Sequence, residues 1–188
     1  MMNENKRRVR EKAMEVCECM KGWQLDDRED LYGAVLSDGV RSLMFAPIWG
    51  NTERMEIRGY YGDLGQFLPY DKEKTEITVS MAKTPERIAR DVEKRLLPAY
   101  ERVLAKAMEN KESYEKREAE KRSTLEAVKQ AIGGDANVIQ DDRVVSYRPF
   151  HCLAKYRSGK EVVLELTLPL VKAVGILSLL GKRPDINI

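Results

Sequence analysis

The spacing of apolar residues divides the chain into stretches with different periods. From Asn5 to Lys21, Val9, Ala13, Val16 and Met20 recur at the interval of a helix with one buried stripe, and Gly22 supplies a stop. The period then shortens to two. Tyr32–Leu36 and Val40–Phe45 read as strands joined by Ser37-Asp38-Gly39, where Asp-Gly is a hairpin signal. Trp23–Asp30 reads as an acidic loop, and Pro47 with Gly50-Asn51 as turn punctuation. Met55, Ile57 and Gly59 alternate with Glu56, Arg58 and Tyr60, which predicts a third strand. After a long loop from Gly62 to Lys74, Ile77, Val79 and Met81 alternate with Thr78 and Ser80 and predict a fourth.

The next stretch, Thr84 to Gly134, organises the chain. Thr84-Pro85-Glu86 is a helix start: a threonine that can cap free N–H groups, a proline at the first helical position, an acid in the first turn. At about 100° per residue, Ile88, Ala89, Val92, Leu96, Ala99, Tyr100, Val103 and Ala107 share an arc roughly 120° wide, widened by Leu97 and Leu104. The stripe keeps its phase across Pro98, which predicts a kinked continuous helix. Beyond Met108 the stripe is lost to Glu, Lys and Arg, and the core-facing slots hold Asn110, Arg117, Glu118 and Lys121. Leu125, Val128 and Ile132 then return to the arc before Gly133-Gly134. A continuous solvated helix fits this pattern. So does a helical hairpin turning near Asn110–Ser113, and the continuous helix is the preferred of the two.

Val144–Tyr147, Phe150–Tyr156 and Glu161–Thr167 return to strand character, with a Ser158-Gly159 turn and with Val162, Leu164 and Leu166 facing one way. Leu170–Leu180 is apolar on nearly every side, which predicts a short closing helix at a core or an interface; Leu170, Val174, Leu177 and Leu180 are its candidate protein-interface residues. The expected fold is α+β: an antiparallel β-sheet, a long central helix, a C-terminal β-hairpin and a short apolar closing helix. The expected organisation is a single domain over residues 1–188. Residues 1–83 form an N-terminal helix and the sheet, 84–134 the long helix or helical hairpin, and 135–188 the β-hairpin and final helix.

The net charge of +2 conceals an asymmetry. Acids outnumber bases between Trp23 and Ala82, so the remainder of the chain is basic, and a surface for a polyanion is expected there. The three cysteines follow no disulfide framework, and the charged N-terminus has no apolar leader, which points to reduced thiols and a cytoplasmic setting. Leu168–Leu180 is interrupted by Lys172 and too short to cross a bilayer, so no membrane partner is expected. Cys17-x-Cys19 and His151-Cys152 lack metal-site spacing. His151 is the single histidine and has no nucleophile motif beside it. Asp26-Asp27 and Asp141-Asp142 have no partnering pattern, and Gly59 to Gly65 is not a phosphate loop. No enzyme activity, catalytic residue, cofactor or metal is therefore expected. What remains is cationic and aromatic: Arg87, Arg90 and Lys94 within about 60° on one helix face, Arg95 nearby, and Arg58 with Tyr60 along a strand. These six are the candidate nucleic-acid-binding residues, since such sets hold phosphates and stack bases.

The segment Ile77–Tyr100, with a strand followed by Thr84-Pro85-Glu86, Ile88-Ala89-x-Asp91 and Arg95-Leu96-Leu97-Pro98-x-Tyr100, resembles a segment of small uncharacterised proteins of bacteriophages and integrated mobile elements. The resemblance implies a setting and no site. Small proteins of that setting often bind nucleic acid or obstruct a host-defence complex, as anti-CRISPR proteins do. The expectation is a non-enzymatic protein whose partner is nucleic acid or a host nucleoprotein or protein complex. The alternative is a protein–protein inhibitor or assembly factor that works through the C-terminal helix or the acidic sheet. Monomer and homodimer both stay open.

Overall fold

The computed structural model describes residues 4–26, 33–132, 136–139, 143–146, 151–158 and 161–167. The fold is α+β, and the chain divides into two compact units, residues 1–112 and 113–188.

In the first unit, α1 (Glu4–Cys19) precedes β1 (Gln24–Asp26), β2 (Ala34–Ser37), β3 (Ser42–Ile48), β4 (Asn51–Gly59) and β5 (Glu76–Ser80). These strands form a five-stranded sheet in sequence order, each neighbour antiparallel. The alternation dictates its inner face. Leu36, Leu43, Phe45, Met55, Ile57, Ile77 and Val79 share one core with Val9, Ala13 and Val16 of α1. Each large side chain buried there stabilises the unit by roughly 1.5–3 kcal/mol. The β2–β3 turn forms at Asp38-Gly39 as predicted but is shifted and longer: Ser37 stays in β2 and β3 begins at Ser42, so Val40, expected in the strand, lies exposed in the turn. Gly39 takes φ 92°, and the Asp38 carboxylate accepts the N–H groups of Val40 (3.0 Å) and Arg41 (2.7 Å).

The structure corrects the sequence reading in three places here. Gln24–Asp26, expected in a loop, pairs with Val35–Ser37 as an edge strand. Pro47, expected in a turn, lies inside β3, beyond the last residue that β2 pairs with, Phe45, and at a register shift against β4. A residue without an N–H is tolerated there because the second ladder has already ended. Within the expected 62–74 loop, Gly62–Phe67 forms 3₁₀ turns.

The central helix is continuous, and its irregularity is specific. α2 (Pro85–Asp91) passes through a π turn (Val92–Leu96) into α3 (Leu97–Ile132) without a break at Asn110–Ser113, so the hairpin alternative does not occur. The Leu97 N–H bonds the Val92 carbonyl, one residue further back than in an α-helix. Pro98 explains this. Its ring would strike the Lys94 carbonyl of a regular helix, and the wider turn before it makes room. The predicted stripe is buried except for the half-buried Ala99: Ile88, Val92, Leu96, Tyr100 and Ala107 are each at most 1% exposed, whereas Met108 is 51% exposed.

Tyr100 ties helix to sheet. Its hydroxyl accepts the Ser42 N–H at 3.0 Å and donates to the Tyr60 carbonyl at 3.0 Å. Its ring fills the space above Gly59, where an added Cβ would stand 2.2 Å from the ring. Arg102 grips Glu73 with two hydrogen bonds of 2.9 and 2.6 Å, and Asn110 donates to the Phe67 carbonyl at 2.8 Å. The polar residue in the slot at 110 therefore holds the 62–75 connection.

In the second unit, Leu125 of α3 is buried and Val128 half-buried. β6 (Asn137–Ile139), β7 (Arg143–Ser146), β8 (His151–Ser158) and β9 (Glu161–Thr167) form a four-stranded antiparallel sheet in sequence order, so the expected hairpin is part of a larger sheet. Leu125, Ala136 and Ala154 centre its core, with Tyr156 and Val162 packed alongside. Val162, Leu164 and Leu166 share a face as predicted, yet Leu164 and Leu166 are 56% and 43% exposed. The expected closing helix, with Leu170, Val174, Leu177 and Leu180, and the Gly133-Gly134 stop lie outside the described residues.

Candidate nucleic-acid interface

α2 and the π turn place the predicted cations by burying the opposite side. Ile88, Ala89, Val92 and Leu96 enter the core, so Arg87, Arg90, Lys94 and Arg95 are all exposed. Thr84 starts the helix through its carbonyl, which accepts the Arg87 and Ile88 N–H groups at 3.1 Å each, and makes no side-chain cap to the backbone. The Glu86 carboxyl is held below its usual range, first by its own N–H, then by the Thr84 hydroxyl, with Arg90 adding a favourable charge. Asp91 is also lowered, chiefly by the hydrogen bond from Lys83 (2.6 Å) and more weakly by Arg95 (3.7 Å). Asp91 thus engages Lys83 and Arg95. Arg87, Arg90 and Lys94 are left without an ion pair among the described residues.

Arg58 and Tyr60 do not join this surface. Met55 and Ile57 point into the core beneath the helices, so Arg58 lies on the other face of the sheet, paired in register with Met44. Its guanidinium donates to the Met44 sulfur (3.2 Å) and sits 3.4 Å from Glu56. Tyr60 is half-buried against Val35, Met44 and Ala46. The six candidate residues therefore occupy two opposite sides of this unit.

Other charges of the unit are taken up structurally. Arg41 bonds Asp38 at 2.7 Å, pairs with Glu101 and stacks over Trp23 at 5.4 Å. Burial raises the Tyr61 phenol, partly offset by its bond to the Thr75 hydroxyl. Cys17 is half-buried and Cys19 exposed. Among the described residues, no three metal-ligating side chains converge, and no helix is long and apolar enough to cross a membrane.

Among the exposed aromatics outside the predicted set, one borders a groove. Trp49, at the tip of the β3–β4 hairpin, is 99% exposed and borders a groove with Ile48 and Lys6. Its sequence signal was its place between Pro47 and Gly50-Asn51, since a residue at a hairpin tip has no sheet to bury it. Comparison with protein-family models, with curated proteins and with solved structures gives no match to the chain.

Proposed function

We propose that this chain is a non-enzymatic binding protein whose partner is nucleic acid, alone or within a nucleoprotein complex. One observation carries the reading: Arg87, Arg90 and Lys94 stand exposed on one helix face without ion pairs among the described residues. Cations spread over about 10 Å of helix can position a phosphate backbone without reading its sequence. The setting in a phage or mobile element, and action against a host-defence complex in the manner of anti-CRISPR proteins, rest on the resemblance of residues 77–100.

The test is Arg90→Glu with Lys94→Glu. Nucleic-acid affinity should fall by about tenfold or more, and the slope of log affinity against log salt by roughly one to two units. Both residues are exposed, so the melting temperature should hold. Unchanged affinity and slope would remove this surface from the proposal. A wild type that binds neither DNA nor RNA at low salt would remove the nucleic-acid reading.

A protein–protein inhibitor or assembly factor is the second reading, favoured by the exposed Leu164 and Leu166, which share one face of β9. Salt-insensitive association, weakened by Leu166→Glu in sedimentation experiments, is its signature.

A further inference from the structure

The second sheet carries a recess that its own packing does not explain. It has a volume of about 590 Å³, and Arg143, Lys155 and Arg157 line it with Leu153, Val163 and Glu165. Arg143 and Lys155 are direct cross-strand partners, an arrangement in which like charges repel. Arg157 falls at the register shift of the β8–β9 pair, where Tyr156 opposes Val162 and Ser158 opposes Glu161. It is the extra residue of a bulge, a device that re-aims a side chain. Three cations thus meet one carboxylate. None of the three makes an ion pair among the described residues, and the Arg143 Nε is buried with no hydrogen-bond partner.

A sheet with cations opposed in register, and a guanidinium N–H withdrawn from water and unbonded, is less stable than it would be with an anion between them. From this we infer that the recess binds a phosphate group. Phosphate fits better than a lone carboxylate. Its several oxygens can accept from two guanidinium forks and an ammonium at once, and up to two negative charges match three cations less Glu165. The volume exceeds what one phosphate needs and lies in the range of small-molecule sites. Leu153 and Val163 offer apolar surface to whatever carries the phosphate, which can be a free nucleotide or a nucleic-acid strand. This site shares no residue with the Arg87–Lys94 face and does not depend on it.

The test uses the full chain with three probes at low salt: pyrophosphate, adenosine triphosphate and a short single-stranded oligonucleotide. Lys155→Gln and Arg157→Gln, both exposed, are the primary variants. Arg143→Lys, which keeps the charge and removes the fork, is the third. Titration calorimetry should show roughly tenfold weaker binding in each, the loss expected for one charge-assisted hydrogen bond. Lys106→Gln, at an exposed lysine outside both cationic surfaces, should leave pyrophosphate affinity unchanged. Loss with all three probes identifies phosphate itself as the ligand. Loss with the oligonucleotide alone, pyrophosphate and triphosphate not binding, identifies a strand backbone. A wild type that binds none of the probes, or sheet variants that bind all of them as the wild type does, overturns the site. Either result leaves the helix face to be judged by its own variants.

Discussion

Replacing Tyr100 by phenylalanine removes one oxygen atom and tests how the helix is fixed to the sheet. The ring stays, so its contact with Tyr61 (centroids 5.1 Å apart) and its place above Gly59 persist. The hydroxyl's two partners lose it together: the Ser42 N–H loses an acceptor and the Tyr60 carbonyl a donor. Leaving such a group unsatisfied costs about 1–3 kcal/mol when buried. Both residues are half-buried, so the lower end applies to each, about 2 kcal/mol in all. For a chain of this length that lowers the melting temperature by roughly 4–8 °C. Urea unfolding should show a lower midpoint with an unchanged slope. pH supplies a second readout. Burial raises the Tyr100 phenol above its ordinary value, partly offset by the Ser42 N–H. A raised tyrosine pKa means that the folded state disfavours the phenolate. The associated stability is full below the unfolded value of about 10 and is lost as pH rises through the raised folded value. The variant should therefore lose less stability than the wild type between pH 9 and 11. A variant whose stability lies within about 0.5 kcal/mol of wild type, with an unaltered alkaline limb, would refute the bridge.

Pro98→Ala restores an N–H and removes the ring that the π turn accommodates, so the fold should persist with equal or higher melting temperature; a large loss would show that the wide turn is required for another reason. Asp38→Ala should destabilise by about 1 kcal/mol, measured by urea unfolding at neutral pH. The Asp38 carboxyl feels burial upward, but the N–H groups of Arg41 and Val40 and the Arg41 guanidinium hold it below its usual range. Its contribution is present above the unfolded pKa of about 3.9 and fades as pH falls through the lower folded value, so the variant should be less acid-sensitive than wild type. An identical acid limb in both proteins would contradict this.

Much of the first unit was legible because burial there follows period. The stripe from Ile88 to Ala107 and the alternation around Ile57 and Val79 each admit one arrangement against a core. β1 was not legible: Gln24-Leu25-Asp26 has one apolar residue, and its strand state comes from β2 supplying a free edge. The π turn was half legible, since Pro98 announces a disturbance without saying whether the helix kinks or widens. The division of the cations was within reach. If Ile57 and Ile88 share a core, Arg58 and Arg87 must leave it on opposite sides, a step that strand and helix read separately do not supply. The recess on the second sheet was out of reach. Nothing in the composition of residues 143–157 sets Arg143 opposite Lys155; only the register does.

The contact between Gly59 and Tyr100 bears on how the unit assembles. The β3–β4 hairpin is local and can form early, within microseconds. Its open end stays incomplete: until Tyr100 arrives, the Ser42 N–H and Tyr60 carbonyl face water and the space over Gly59 is empty. Closing it needs a partner some forty residues away, with the entropy of the intervening loop lost first. Strand end and helix therefore gain their native energy in one late step. In kinetic terms, Tyr100→Phe should accelerate unfolding while leaving the folding rate nearly untouched.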